Sequence, residues 1–208
     1  RWEFYGRMFE ITPDVLIPRP ETEGLIEQAL AYLDRLGRPG RMIDVGTGSG
    51  CIAVTLAAER PSLQVIATDR SPGALRVAKR NARLHSVAER IAWIQCDLLD
   101  GIRKPADLIL ANLPYIPSTR LEHLAVAAYE PQLALNGGVL GLDLIVRLID
   151  QLPDQLNDRG VAILEIDESH ARAVVEHMEI VFPGAQIAVF PDLSQQDRYV
   201  VLSLENDR

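Results

Sequence analysis

An Asn-Leu-Pro-Tyr turn that begins at Asn112, called the Asn112 turn below, combines residue types that can act on a planar –NH2 group. The side-chain oxygen of Asn112 and the main-chain carbonyl of Leu113 can both accept hydrogen bonds from such a group. Pro114 stiffens the loop, and the ring of Tyr115 can pack beside a planar substrate. The apolar run at 106–111 predicts a strand, so the turn falls at the carboxyl edge of a sheet, where ligands of open α/β folds bind. We therefore expect Asn112, Pro114 and Tyr115 to be catalytic residues.

The chemistry predicted at this turn is group transfer to nitrogen. An amide nitrogen is a poor nucleophile because its lone pair is delocalised into the carbonyl. Acceptance of both N–H protons by Asn112 and the Leu113 carbonyl would point that lone pair at a sulfonium methyl group and stabilise the positive charge that develops on nitrogen. No general base has to act first, because the proton can leave after transfer. The alternative is that Asn112 only bridges a turn.

A glycine loop, Gly-Thr-Gly-Ser-Gly at 46–50, lies between a predicted strand at 42–45 and a predicted helix at 51–60. Glycine lets the backbone turn sharply and approach a ligand closely, since a Cβ atom there would collide. A dinucleotide fingerprint would need glycine at position 51, where this sequence has Cys51. The loop therefore fits a methionine-nucleoside better than a pyrophosphate, with a tight structural turn as the alternative. The cofactor contacts predicted here are Gly46, Thr47, Gly48, Ser49 and Gly50.

Two acids follow the next predicted strands. Asp69 ends the strand at 63–69, where a carboxylate can accept hydrogen bonds from both ribose hydroxyls. It could instead cap the following helix, but Ser71 is better placed for that role. Asp97 follows the strand at 91–96, where it can accept from an adenine amino group or remain a solvated loop acid. Together with the glycine loop, Asp69 and Asp97 predict a nucleoside-type cofactor.

Composition limits the class of partner. The 208 residues carry 29 acidic and 21 basic side chains, and this net charge of −8 counts against a phosphate backbone as the main partner. No apolar run approaches the ~20 residues that span a bilayer. The two cysteines and four histidines lack ligand spacing, so we expect no metal site. We predict a cytoplasmic, monomeric protein with no membrane partner and no direct nucleic-acid partner.

The elements that must position these residues alternate along the chain. Residues 1–18 predict a hairpin or extended lead-in, and the Pro-Arg-Pro-Glu-Thr-Glu string at 18–23 opens a helix that ends before Gly37. The predicted strands are 42–45, 63–69, 91–96, 106–111, 161–166, 186–190 and 199–204, and the later helices are 51–60, 72–85, 140–156 and 171–181. This alternation predicts an α/β, Rossmann-like fold with a seven-stranded, mostly parallel sheet and an antiparallel edge hairpin. That ending is typical of class I S-adenosylmethionine-dependent methyltransferases, and we expect this domain to cover 19–208.

Several strings resemble the HemK-like protein-(glutamine-N5) methyltransferases, which modify the Gly-Gly-Gln glutamine of peptide chain release factors. The resemblance covers nearly the whole chain. Many methyltransferases share the glycine loop, whereas the Ile-Pro-Arg-Pro-Glu-Thr-Glu string at 17–23 and the Glu-Pro-x-x-Ala-Leu string at 130–135 are specific to this family.

The resemblance implies methyl transfer from S-adenosyl-L-methionine to N5 of that glutamine, which leaves S-adenosyl-L-homocysteine. It also implies that the glycine loop, Asp69, Asp97 and Asn112 contact or border the cofactor. The substrate-binding residues implied are Arg19, Glu21, Asn112, Leu113, Pro114 and Tyr115. Full-length members carry a helical N-terminal domain involved in recognising the release factor. We expect this sequence to be the methyltransferase domain without it, with a weakened affinity for the substrate.

Leu113 departs from the family, which usually has proline at this position. Asn-Leu-Pro-Tyr also resembles the RNA adenine-N6 dimethyltransferases, so an adenine-N6 methyltransferase that acts on a flipped base of RNA or DNA is the alternative function. A non-catalytic cofactor-binding module is a third possibility. Net charge and the two family-specific strings favour the protein substrate.

Overall fold

A seven-stranded sheet forms the centre of the computed structural model of this chain. The structure describes residues 1–38, 40–121, 124 and 129–204. The strands of the sheet are β3 (Arg41–Val45), β4 (Gln64–Asp69), β5 (Ile91–Gln95), β6 (Ala106–Asn112), β7 (Leu156–Glu165), β8 (Gln186–Pro191) and β9 (Asp197–Ser203). They lie in the order β5-β4-β3-β6-β7-β9-β8; β9 is antiparallel to both neighbours and the other pairs are parallel. The predicted α/β class, mostly parallel sheet and antiparallel edge hairpin are confirmed.

Helices cover both faces of this sheet. They are α1 (Glu21–Leu36), α2 (Cys51–Glu59), α3 (Pro72–Leu84), α4 (Ser118–Leu121), α5 (Asp143–Gln151) and α6 (Ala171–Val181), with 3-10 turns at Ala88–Arg90, Gln132–Ala134, Leu152–Asp154 and Glu168–His170. Within the described residues, no helix has the length and apolarity needed to cross a bilayer.

Two hydrophobic cores lie on opposite faces of the sheet because successive strand residues point to opposite sides. In β6, Leu108 and Leu110 pack into the core with α1 and α2, whereas Ile109 and Ala111 pack into the core with α5 and α6. A strand buried on both faces reads as a continuous apolar run, which is how the sequence predicted these strands.

A hairpin precedes the main sheet. Its strands, β1 (Trp2–Phe4) and β2 (Arg7–Phe9), pair antiparallel. The rings of Phe4 and Phe9 meet edge to face with centroids 6.1 Å apart, and both pack into the core that contains α1 and α2. The predicted hairpin is present within the first 18 residues, and the proposed boundary after residue 18 stays a prediction.

The order of the strands changes direction at β3, and this determines the edge of the sheet at which we expect a ligand to bind. After β3 the chain moves outward through β4 to β5, and it then returns to place β6 on the other side of β3. Val45 pairs with Ala111, so the segments that follow β3 and β6 leave the sheet side by side. Open α/β sheets bind ligands at such a switch point.

Two helices differ from the prediction by more than one residue, for backbone reasons. The first helix begins at Glu21 rather than at Pro18, because Pro20 disfavours a helical backbone at the residue before it, Arg19. The predicted helix 140–156 is shorter, at Asp143–Gln151. Gly141 has a φ of +79°, which a right-handed helix does not contain, and a 3-10 turn with Pro153 replaces the last predicted turn.

Strand β7 is longer than predicted. It begins at Leu156 instead of position 161 and pairs with Ala106, with a register irregularity before the pairing becomes regular at Leu108. The polar Asn-Asp-Arg-Gly stretch at 157–160 concealed this part of the strand, because its side chains do not alternate as a half-buried strand would.

Candidate functional site

A cleft opens at the switch point, at the carboxyl ends of β3, β4 and β6. Its lining includes these residues predicted from sequence: Gly46, Thr47, Gly48, Ser49, Asp69, Asp97, Asn112, Leu113 and Pro114. The predicted residues outside the lining are Arg19, Glu21, Gly50 and Tyr115. The fold therefore brings the glycine loop, both acids and the Asn112 turn to one cleft.

The glycine loop has a backbone shape that other residues rarely adopt. Gly46, Gly48 and Gly50 have φ values of +71°, +55° and +80°. A Cβ atom on Gly46 would lie 2.9 Å from Cδ2 of Leu113, which is closer than van der Waals contact allows. The absence of a side chain at Gly46 thus lets the loop and the Asn112 turn touch.

Asp44 holds this loop from inside the protein. It is fully buried, and its Oδ2 accepts hydrogen bonds from the Thr47 hydroxyl at 2.6 Å and from the Ala53 N–H at 3.2 Å. Burial raises the pKa of Asp44 to about 7, while the Thr47 and Ala53 hydrogen bonds act in the opposite direction. Oδ1 has no hydrogen-bond partner among the described residues. Asp44 thereby fixes the loop to the start of α2.

Asp69 holds the loop from the cleft side. Its Oδ2 accepts from the Gly48 N–H at 2.9 Å and its Oδ1 from the Ser71 N–H at 2.8 Å. Burial raises the pKa of Asp69, and these two hydrogen bonds oppose the rise. Each carboxylate oxygen can accept a second hydrogen bond, so the group can still bind two ligand hydroxyls. Ser71 caps α3 by accepting from the Ala74 N–H at 3.2 Å, as predicted.

Asp97 borders the cleft in a different setting. Its Oδ2 pairs with the Arg147 guanidinium on α5 at 2.8 Å, and 36% of its side chain is exposed. This ion pair leaves Oδ1 for a ligand amino group. The predicted role toward adenine stays a prediction.

Asn112 ends β6 with its amide oriented by the first helix. Its Nδ2 donates to the Thr22 hydroxyl of α1 at 2.9 Å. Oδ1 is therefore the side-chain atom left to face a ligand in the cleft. Since Oδ1 can accept but not donate, this orientation suits an acceptor that presents N–H groups.

The rest of the Asn112 turn is held from behind by a second loop. Ile116 N–H donates to the Leu135 carbonyl at 3.0 Å, and Gly137 N–H donates to the Ile116 carbonyl at 2.9 Å. A Cβ atom on Gly137 would lie 2.7 Å from the Pro114 carbonyl oxygen, so only glycine permits this approach. Tyr115 packs into the core with α5 and α6, and burial raises the pKa of its phenol to about 12. It therefore stays a neutral phenol at physiological pH.

Arg19 lies just before α1, and Glu21 is the first residue of that helix. The Arg19 guanidinium binds both oxygens of the buried Glu130 carboxylate at 2.9 and 3.0 Å. The Glu21 side chain is exposed, and its carbonyl accepts from the Tyr199 hydroxyl at 2.5 Å. These bonds dock the Pro-Arg-Pro-Glu-Thr-Glu string beside the cleft, and the roles of Arg19 and Glu21 toward a substrate stay predictions.

The structure adds residues that the sequence prediction did not select. Thr22 orients Asn112, and Asp44 holds the glycine loop. Glu165 ends β7 directly beside Asn112 and is 1% exposed. One signal could have found Glu165, because it is an acid at the end of an apolar strand, which is the rule that selected Asp69.

The arrangement fits a methionine-nucleoside rather than a pyrophosphate. A phosphate site would offer free backbone N–H groups from the loop. Here the Thr47, Gly48 and Gly50 N–H groups are already bonded, to the Thr68 carbonyl, the Asp69 carboxylate and the Thr47 carbonyl respectively. The glycine loop, whose glycines have no Cβ atoms, leaves space for a nucleoside, and the Asp69 carboxylate can accept further hydrogen bonds from it.

Comparison with known proteins agrees with this geometry. A family model described as "Methyltransferase small domain" matches residues 25–129. A release factor glutamine methyltransferase from Cereibacter sphaeroides is 45% identical over 200 residues, which cover 95% of this chain and 69% of that protein.

Solved structures share the fold at low sequence identity. A methyltransferase from Pyrococcus furiosus aligns with a TM-score of 0.70 at 15% identity, covering 97% of this chain and 91% of that one. The hMettl16 catalytic domain, solved in complex with a MAT2A 3′UTR hairpin, aligns with a TM-score of 0.73 at 19% identity, covering 98% of this chain and 77% of that one. These likenesses support the class I methyltransferase fold and do not select the acceptor.

Proposed function

This chain belongs to the release factor glutamine methyltransferase family, and from that membership we propose that it methylates the side-chain amide nitrogen of glutamine in the Gly-Gly-Gln motif of peptide chain release factors. The methyl donor implied by family and fold is S-adenosyl-L-methionine. The observation that carries the proposal is that Asn112 lines the cleft and donates its Nδ2 to Thr22, which leaves Oδ1 as the side-chain atom for a ligand.

The two halves of the cleft would have different roles. The glycine loop, Asp69 and Asp97 form the cofactor half, and the Asn112 turn forms the acceptor half. The glycine loop and Asp69 would hold the nucleoside, with the ribose hydroxyls donating to Asp69, and Asp97 would accept from the adenine amino group. When bound, S-adenosyl-L-methionine supplies an electrophilic sulfonium methyl group. Contact between Gly46 and Leu113 keeps the two halves adjacent, so the acceptor turn lies beside the donor site.

The Asn112 turn would bind the glutamine amide through both of its N–H groups. Asn112 Oδ1 accepts one and the Leu113 carbonyl accepts the other, and this turns the nitrogen lone pair toward the methyl group. The same two oxygens stabilise the positive charge that develops on nitrogen as the new bond forms. One proton then leaves the nitrogen, which restores a neutral secondary amide.

Leu113 can fill the position where relatives usually have proline. The proposed contact uses the backbone carbonyl, which leucine also supplies. The Leu113 side chain is buried, and it packs beside Gly46. Burial of this side chain restrains the turn in place of the ring constraint that proline would supply.

The test uses labelled S-adenosyl-L-methionine and three acceptors: a release factor, its Gln→Ala variant at the Gly-Gly-Gln motif, and ribosomal RNA. We expect label in the first acceptor only. Label in RNA would support the adenine alternative, and equal label in the Gln→Ala protein would place the methyl group on another residue. Absence of label from all three would favour a non-catalytic cofactor-binding module. The cytoplasmic location and the monomeric state stay predictions.

A further inference from the structure

Glu165 is a buried carboxyl group beside the proposed acceptor site. It ends β7, where it pairs with Asn112 of β6 on one side and with Tyr199 of β9 on the other. Its side chain is 1% exposed, and Oε2 has no hydrogen-bond partner among the described residues. A buried acid of this kind needs donors near it, since an isolated buried charge is costly.

The groups that affect the charge of Glu165 come from three elements. Thr22 of α1 and Asn112 of β6 approach it with a hydroxyl and an amide, and Arg198 of β9 contributes positive charge. Burial raises the pKa of Glu165 to about 7, while hydrogen bonding from Thr22, the charge of Arg198 and hydrogen bonding from Asn112 oppose the rise. The nearby negative charge of Glu21 adds to the rise.

In its ionised form, Glu165 imposes a direction on its neighbours, because an ionised carboxyl group accepts hydrogen bonds and donates none. Thr22 therefore has to turn its O–H toward Glu165, which leaves the lone pairs of Oγ1 for Asn112. The N–H groups of the Asn112 amide then point at Thr22 and Glu165, in agreement with the 2.9 Å bond from Nδ2 to Oγ1. Oδ1 is left for the cleft.

We propose that Glu165 and Thr22 are positioning residues, which keep the Asn112 amide from rotating so that Oδ1, and not Nδ2, meets the acceptor nitrogen. The inference rests on the proposed function, since orientation matters only for an acceptor that brings two N–H donors. A rotated Asn112 would set Nδ2 against those donors, and the acceptor would lose the bond that orients its lone pair. The change would affect the transfer step more than the binding of either substrate.

Two variants test this role in the methylation assay with a release factor. Thr22→Val replaces the hydroxyl by a methyl group of similar shape, and Glu165→Gln replaces a carboxyl group, which only accepts when ionised, by an amide that donates at every pH. We expect kcat to fall about 10-fold or more in each, with the acceptor KM and the cofactor Kd within about 3-fold of wild type. Thr22→Ser keeps the hydroxyl and should retain kcat within about 3-fold.

Thr55→Val is the matched control. Thr55 of α2 is also fully buried, but its hydroxyl has no hydrogen-bond partner among the described residues. The same exchange of hydroxyl for methyl should leave kcat unchanged. Thermal unfolding midpoints and cofactor binding are measured for every variant, because a merely structural role would lower both and leave kcat per folded molecule intact.

Wild-type transfer to the glutamine, and not to the Gln→Ala protein, is established first, and its absence would overturn the proposed function together with this inference. If the wild type is active, full kcat in Glu165→Gln would overturn the positioning role alone. Loss of activity that follows only loss of fold or of cofactor binding would overturn it as well. If Thr22→Val fails to fold, Glu165→Gln decides, because glutamine keeps the size of the buried side chain and its folding is checked by the same unfolding and cofactor-binding measurements.

Discussion

The hydrogen bonds that shape the glycine loop join residues close in sequence. The hydrogen bond that orients Asn112 in its turn comes from a residue far away in sequence. Asp44 and Thr47 are three residues apart, and Asp69 and Gly48 are 21 apart. Asn112 and Thr22 are 90 residues apart. The glycine loop and Asp69 are thus held together within two adjacent β-α units, while the orientation of Asn112 depends on α1 being docked on the sheet.

This difference teaches that the two halves can be changed separately. A substitution in the local network should weaken cofactor binding. A substitution in the long-range network should leave cofactor binding intact and slow methyl transfer. The halves touch where Gly46 meets Leu113, and only changes at that contact should affect both.

The largest expected effect comes from Asn112→Ala, which removes the proposed acceptor of an amide N–H. We expect kcat to fall by about 10³-fold, at the upper end of the loss for one preorganised electrostatic contact. Cofactor affinity, measured by calorimetry, should stay within about 3-fold of wild type. Asn157→Ala is the control, because Asn157 binds Asp107 at the opposite edge of the sheet. Equal loss of cofactor binding and transfer in Asn112→Ala would contradict the separation of the halves.

The next effect belongs to Asp69→Ala, which acts on the cofactor half. It removes the predicted ribose acceptor and the bond that orients the Gly48 N–H. We expect the cofactor Kd to rise about 10- to 100-fold, as for loss of hydrogen bonds to a charged group. Asp100→Ala is the control, since Asp100 accepts from Gln151 away from the cleft lining. Unchanged binding by Asp69→Ala would show that the ribose lies elsewhere.

Gly46→Ala and Gly184→Ala form a matched pair that tests the contact between the halves. Both glycines have positive φ values, +71° and +83°. A Cβ atom on Gly184 meets nothing within 4 Å, whereas one on Gly46 meets Leu113 at 2.9 Å. Denaturant unfolding should show a loss of about 1 kcal/mol for Gly184→Ala and about 1 kcal/mol more for Gly46→Ala. Only Gly46→Ala should also reduce both cofactor affinity and kcat, and equal behaviour of the two variants would argue against the contact.

The smallest effect is a change in the pH dependence of stability. The folded-state pKa of Asp44 is raised from 3.8 to about 7, so its neutral form is favoured in the folded protein. That stabilisation is full below the unfolded value and is lost as the pH rises through about 7. From pH 6 to pH 8, the unfolding free energy of the wild type should therefore fall by about 1 kcal/mol more than that of Asp44→Asn. Glu165 supplies a similar wild-type slope, and identical slopes in wild type and Asp44→Asn would contradict the burial argument.

Sequence predicted the sheet because strands buried on both faces are unbroken apolar runs bounded by turns. It overextended the helix at 140–156, because Leu140 is apolar yet 68% exposed and precedes a glycine with a left-handed backbone. An apolar pattern cannot distinguish exposed from buried side chains in such a segment.

For the site, sequence was sufficient where the contacts are local. The glycine loop and Asp69 belong to consecutive elements, so their meeting follows from the β-α-β order alone. Thr22 could not be selected in this way, and the strand-end rule could have selected Glu165 but not its position beside Asn112. Their contact with Asn112 depends on which strand lies next to β6 and on which face of α1 rests on the strand ends, and both follow from the assembled sheet.

The central claim is that the Asn112 turn presents two acceptors to a glutamine amide. Tandem mass spectrometry of a release factor, after incubation with this protein and S-adenosyl-L-methionine, tests it most directly. The account predicts one added methyl group on the side-chain nitrogen of the Gly-Gly-Gln glutamine, and none when Asn112→Ala replaces the wild type. A methyl group on any other residue, or an unchanged yield with Asn112→Ala at limiting reaction time, would contradict it.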